Sequence, residues 1–248
     1  MSGTDAIWIV LAGMAAGTIN TVVGSGSLIT FPTLLALGYP PVLANVSNNI
    51  GLVPGALSGV YGYRRELRGQ RGRLLRLAPA SVIGGFVGAV LLLVLPSDVF
   101  ERVVVVLIVI ALVLVIFQPM LAKRLASRHG RSGGISSVLV VLVGVGGIYG
   151  GYFGAAQGII LIAVLGMFVD DTLQNLNAVK NVLAMTVNLV ASVVFLFSTS
   201  IDWKVVGCIA AGSVVGGQLG ATIGRKLDPR VLRVVIVAVG LTALVRLV

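Results

Sequence analysis

Apolar runs fill the chain almost from end to end, interrupted by short polar or glycine-rich stretches. Hydropathy sets them at about 6–23, 27–38, 42–62, 74–95, 99–121, 135–152, 156–169, 176–198, 204–224 and 229–248. A helix needs about 20 residues to cross the hydrocarbon of a bilayer, and most of these runs are long enough. They are too long for the roughly 10-residue alternating strands of an outer-membrane barrel, so the pattern predicts an all-α, polytopic integral membrane protein. Two runs are too short to cross. Leu28 to Leu37 follows the break Gly24-Ser25-Gly26-Ser27, and Gly158 to Val169 follows Gly150-Gly151-Tyr152-Phe153-Gly154. Each reads as a half-helix dipping into the membrane, an interruption tolerated at depth only where it is buried in protein or lines a wet cavity.

Of the 248 residues, 57% are hydrophobic and 10% charged, against about 25% charged in a soluble domain. A water-soluble globule is therefore excluded. The formal charge of +10 does not signal nucleic acid, because 14 of the 18 Lys and Arg residues fall in three short segments between apolar runs. These are Arg64, Arg65, Arg68, Arg71, Arg73 and Arg76; Lys123, Arg124, Arg128 and Arg131; and Arg225, Lys226, Arg230 and Arg233. Connections rich in Lys and Arg stay in the cytoplasm. If each broken segment were one continuous crossing, the third cluster would lie outside. If each is a hairpin, all three clusters are inside, while Asp98, Glu101, Asp202 and both chain ends are outside.

Each half then holds one glycine-broken helical hairpin and three transmembrane helices, and the halves insert in opposite senses as two inverted-topology repeats. The expected organisation is one integral membrane domain, 1–248, with repeat one at 6–121, a basic cytoplasmic linker at 122–134 and repeat two at 135–248. Met1 to Asp5 carries no Lys or Arg, so the first run reads as a retained span and not a cleaved signal. Internal similarity supports the division. A shift of 130 sets Gly17 on Gly147 and Gly24 on Gly154, and a shift of 132 sets Asn45, Asn48 and Asn49 on Asn177, Lys180 and Asn181.

In a helix, residues three and four apart share a face, so each of those triplets forms one polar stripe. Polar groups at membrane depth turn from lipid, toward the bundle or a watered cavity. They mark either a binding site or hydrogen bonds between helices. Lys180 is the most expensive of them, with no carboxylate within four residues. It reads as a fixed positive charge for an anionic substrate, or as a lysine that snorkels or pairs with Asp170 or Asp171. The glycine breaks either admit close helix packing or expose N–H groups at helix N-termini, where anions bind. The candidate substrate site comprises Gly24, Ser25, Gly26, Ser27, Asn45, Asn48, Asn49, Gly154, Gln157, Asn177, Lys180 and Asn181.

Enzyme chemistry has little to stand on. Gly24-Ser25-Gly26 would need a base to act as a hydrolase, and the single histidine, His129, falls in a basic loop. The single cysteine, Cys208, excludes an intramolecular disulfide and reads as a packing residue. No phosphate loop, metal-ligand cluster or redox motif is present, so no cofactor is expected and ATP-driven pumping by this chain alone is excluded. No carboxylate lies in the middle of an apolar run to relay protons.

The first half, through Ala12-Gly13, Gly17, Gly24 to Ser27, Pro32, Leu34-Leu35, Gly38, Pro40-Pro41 and Ala44 to Asn49, resembles the signature of the sulfite exporter TauE/SafE family of membrane permeases. So does the second, through Gly146-Gly147, Gly150-Gly151, Phe153-Gly154 and Ala178-Val179-Lys180-Asn181. The chain departs from that pattern at Gly154-Ala155-Ala156-Gln157-Gly158, where relatives tend to have more glycines, and in having no second proline to match Pro32. The resemblance implies movement of small sulfur-containing anions such as sulfite or sulfonates, usually outward across a bacterial inner membrane. With the lipid bilayer, a small anionic substrate is the expected partner, and a homo-oligomer is compatible with the sequence. The alternatives are an anion channel with the broken hairpins lining a pore and a non-transporting membrane scaffold.

Overall fold

The computed structural model describes residues 1–126, 135–198, 200–224 and 229–247. Within them each of the ten apolar runs is a helix, and no strand occurs. In chain order these are α1 (Gly3–Val22), α2 (Ser27–Ala36), α3 (Pro41–Gly62), α4 (Arg71–Val94), α5 (Ser97–Ala126), α6 (Ser137–Tyr152), α7 (Gln157–Phe168), α8 (Leu173–Ser198), α9 (Trp203–Thr222) and α10 (Pro229–Leu247). Local chemistry sets many of the boundaries. Ser2 and Asp5 form a capping box on α1, Pro41 opens α3 at a position that needs no N–H, and Asp202 accepts from the backbone of Lys204 and Val205 at the start of α9. The Thr172 hydroxyl accepts from the Asn175 N–H at 3.3 Å, and α8 begins three residues ahead of its apolar run. The basic linker expected from residue 122 starts inside α5; Arg128, His129, Arg131, Arg225 and Lys226 lie outside the described residues.

Among the described residues five helices are long and apolar enough to cross a membrane: α1, α4, α5, α8 and α9. The 10-residue α2 and 12-residue α7 extend only about 15–18 Å at 1.5 Å per residue, roughly half the hydrocarbon thickness. The protein is also apolar on the outside. Ile83, Phe86 and Val94 of α4 and Val106, Ile116 and Phe117 of α5 are exposed, while Asn45, Asn48, Lys180, Asn181 and Ser213 are buried. In water such a surface would aggregate; in lipid it is the expected coat.

Two ends can be told apart. At one, Tyr39 after α2 lies near Asp202 before α9 and Asp5 in α1, and partial burial followed by those two negative charges pushes its phenol pKa up. At the other, Arg73 at the start of α4 makes a 2.8 Å ion pair with Asp171 between α7 and α8. Burial works against the Asp171 carboxylate, but hydrogen bonds from Arg73, Gln70, Asn175 and the Thr172 backbone hold its pKa at about 2. There Leu77, Leu139, Leu165, Val169 and Leu176 form one apolar cluster. The chain thus turns back after each break, so α1–α2 and α6–α7 are out-and-back hairpins and not continuous crossings.

The packing of the halves is reciprocal. Helix α1 lies on α9 while α6 lies on α4; α3 lies on α9 while α8 lies on α4; α2 meets α10 while α7 meets α5. Glycines line the α1–α9 and α4–α6 contacts. A Cβ at Gly17 would overlap the Ser213 backbone, and one at Gly216 that of Met14; on the other pair, Gly88 abuts Ile148 and Gly151 abuts Gly85. With no hydrophobic force between helices in lipid, this close backbone approach supplies the packing that holds them.

Candidate substrate site

The two breaks touch. Gly24 and Gly158 pack Cα against Cα, and the Gly158 N–H donates to the Gly24 carbonyl at 3.0 Å. Gly24 has φ +90°, so a side chain there would suffer both strain and collision with Gly158. The second break turns through Gly154 at φ +78° and Ala156 at φ 61°, the latter in the region that costs an L-residue about 1–2 kcal/mol. Both helices end alike before turning: the Gly24 N–H reaches Ile19 O at 3.0 Å, and the Gly154 N–H reaches Tyr149 O at 3.1 Å.

The polar stripe of α8 closes on the end of α1. Asn177 and Asn181 donate from their side-chain amides to Thr21 O at 3.1 and 3.2 Å. Lys180 Nζ donates to Asn20 O at 3.1 Å and to Thr21 O at 3.4 Å. Asn177 also donates to Tyr63 Oη at 2.7 Å. These donors satisfy carbonyls that an ending helix leaves bare. The stripe of α3 is deployed in part the same way: Asn45 donates to Tyr152 O, at the end of α6, at 2.9 Å. Asn48 turns to its own hairpin, accepting from the Thr30 hydroxyl and donating to Ser27 Oγ at 3.1 Å. Asn49 accepts from Ser192 on α8 at 3.0 Å.

Lys180 is 1% exposed and faces backbone carbonyls at the negative end of a helix dipole. It does not snorkel, and Asp171 is engaged by Arg73 and Gln70 instead. Among the described residues it is the only buried side chain with a formal charge. The N-termini of α2 and α7, one at each break, have no side-chain cap. Beside them Ser25 Oγ and Gln157 Nε2 are buried with no protein hydrogen-bond partner. The Gln157 side chain lies over Gly150, where a Cβ would overlap it. Buried polar atoms are rarely left unpaired, and among the described residues Ser47 Oγ and Ser81 Oγ share this condition away from the breaks. Among the described residues no cluster of His, Cys, Asp or Glu could hold a metal ion.

The structure therefore gathers Gly24, Ser25, Gly26, Ser27, Asn48, Gly154, Gln157, Asn177, Lys180 and Asn181 around the two breaks, with Asn45 at the end of α6 and Asn49 turned to α8. Several participants carry no sequence signal. The acceptors on Asn20 and Thr21 are main-chain groups, and Tyr63, buried under Asn177, sits at the edge of a basic segment. Thr30 and Ser192 lie within runs read only as apolar.

Interrupted helices with inward-facing polar ends, in a bundle coated with aliphatic side chains, belong to polytopic membrane transporters and not to soluble enzymes. The particular kind follows from comparison: the sulfite exporter TauE/SafE family model matches residues 9–247, and the chain belongs to that family. It is 25% identical over 227 residues to the probable membrane transporter protein YfcA of Escherichia coli, covering 91% of this chain and 83% of that protein. A probable membrane transporter protein of Haemophilus influenzae is 28% identical over 236 residues, covering 95% and 91%. The probable membrane transporter protein ORF9 of Sinorhizobium sp is 25% identical over 240 residues, covering 97% and 91%.

Proposed function

We propose that this transporter moves small sulfur-containing oxyanions of the sulfite and sulfonate type outward across the inner membrane, by alternating access of two inverted halves. The observation that carries the anion reading is Lys180: a buried ammonium bonded to the end of α1 and to no carboxylate, with Ser25 and Gln157 unpartnered at the two breaks. The substrate site is the set gathered there. The reciprocal packing of α1 on α9 and α6 on α4 supports repeats at 6–121 and 135–248, rocking about the contact between the breaks. The Arg-rich segment 64–76 shares an end with Asp171, and Asp5 shares the other with Asp202, which supports a cytoplasmic first end and chain termini outside.

A carrier fits better than a channel because the Gly24–Gly158 backbone bond closes the centre. Export also suits the energetics, since a membrane potential, negative inside, drives an anion outward by about 2.3 kcal/mol per 100 mV without any coupling ion. The test is flux of radiolabelled sulfite in proteoliposomes. Saturable uptake with counterflow, abolished in Lys180→Ala, is the expected result. Flux that rises linearly with concentration would instead indicate a channel, and absence of flux for every anion tried would remove the anion reading.

A further inference from the structure

How much negative charge the site accepts is set by the helix ends around it. Four of them meet at the breaks: the C-termini of α1 and α6 and the N-termini of α2 and α7. An N-terminus carries about half a positive charge and a C-terminus about half a negative one, so two of each sum to zero. What remains is the single charge of Lys180, the only formal charge buried among the described residues. The other polar groups at the breaks are neutral: the Ser25 hydroxyl, the Gln157 amide, and Asn177 and Asn181, which share the Thr21 carbonyl with Lys180. Lys180 spends two of its three N–H donors on Asn20 O and Thr21 O, leaving one for a ligand.

We infer that the site takes singly charged oxyanions, sulfonates and the hydrogensulfite form of sulfite among them, and rejects doubly charged ones. One negative charge brings the enclosed region to neutrality. A second would sit in a low-dielectric interior with no partner, where an uncompensated charge is strongly unfavourable. The neutral donors orient the oxygens but cannot supply the missing charge. This inference rests on the anion reading above and narrows it to one charge class.

The test is made on the purified full chain in detergent, by the rise in its unfolding midpoint with titrated ligand. Methanesulfonate, sulfate and the uncharged dimethyl sulfone are compared at equal ionic strength and low millimolar concentration, where general salting-out by sulfate is small. The expected result is saturable stabilisation by methanesulfonate, with an apparent affinity at least about tenfold above that for sulfate, and no response to the sulfone. In Lys180→Met the methanesulfonate response should vanish. Sulfate binding as tightly as methanesulfonate in the wild type would overturn the single-charge inference while leaving the anion site intact. A sulfone response equal to that of methanesulfonate, or a methanesulfonate response surviving in Lys180→Met, would overturn the charge assignment. No response to any of the three would remove the anion reading itself. Because the primary comparison uses the wild type, it does not depend on the variant folding.

Discussion

Replacing Lys180 by methionine separates what the lysine does for the fold from what it does for the substrate. The wild-type ammonium is buried, and the residual cost of holding an ion in such a place is several kcal/mol. Against that cost stand two contacts, at 3.1 Å to Asn20 O and 3.4 Å to Thr21 O. Thr21 O keeps Asn177 and Asn181 when the lysine is gone, so the variant leaves only Asn20 O unsatisfied. An unsatisfied buried carbonyl costs about 1–3 kcal/mol. Methionine fills a similar volume without a charge to desolvate, so the two effects nearly cancel or favour the variant. Lys180→Met should unfold within about 1–2 kcal/mol of the wild type, or above it, while losing transport. The assay is the unfolding midpoint in detergent alongside flux in proteoliposomes. A loss of about 3–5 kcal/mol, the amount seen when a buried charge partner is removed, would show that Lys180 is a structural cap on α1 and refute the reasoning.

Other consequences follow from the same geometry. Ala156 sits at φ 61°, so Ala156→Gly should stabilise by up to about 1 kcal/mol and Ala156→Val should destabilise, as read from unfolding midpoints. Gly151→Leu places a large side chain against the Gly85 backbone and should separate α6 from α4, seen as loss of a folded monodisperse peak in size-exclusion chromatography. The Asp171 carboxyl has a pKa of about 2, below its ordinary 3.8. Its contribution is thus complete above about pH 4 and lost as pH falls through about 2; Asp171→Asn should remove that acid-sensitive part while changing neutral-pH stability by about 1 kcal/mol or less. In a Cys208→Ala background, Thr4→Cys and Arg68→Cys should be labelled by an impermeant thiol reagent from opposite faces of the membrane; labelling from one face would overturn the two-ended topology.

Much of the architecture is legible in the chain because lipid demands it. Every backbone polar group at depth must be satisfied within its own helix, so ten apolar runs became ten helices, and the two glycine-rich interruptions became the two breaks. The charge pattern also implies the hairpins, and the Arg73–Asp171 pair puts the start of α4 and the α7–α8 connection at one end of the bundle. The polar stripes were legible as well, from the spacing of Asn45, Asn48 and Asn49 and of Asn177, Lys180 and Asn181. What those side chains touch was not, since Thr21 O and Tyr152 O are main-chain atoms that no residue type announces.

By itself, then, the sequence determined the helical class, the number of elements, the two interruptions and the residues too polar to face lipid, because each depends on hydropathy and backbone propensity along a single segment. Only the tertiary structure decided that Gly24 meets Gly158, that Asn177 and Lys180 of the second half grip the end of α1 in the first, and that Asn49 turns instead to Ser192. Those outcomes depend on which helices approach one another closely. That choice is made by complementary glycine faces hundreds of atoms apart in the chain, and no local pattern records it.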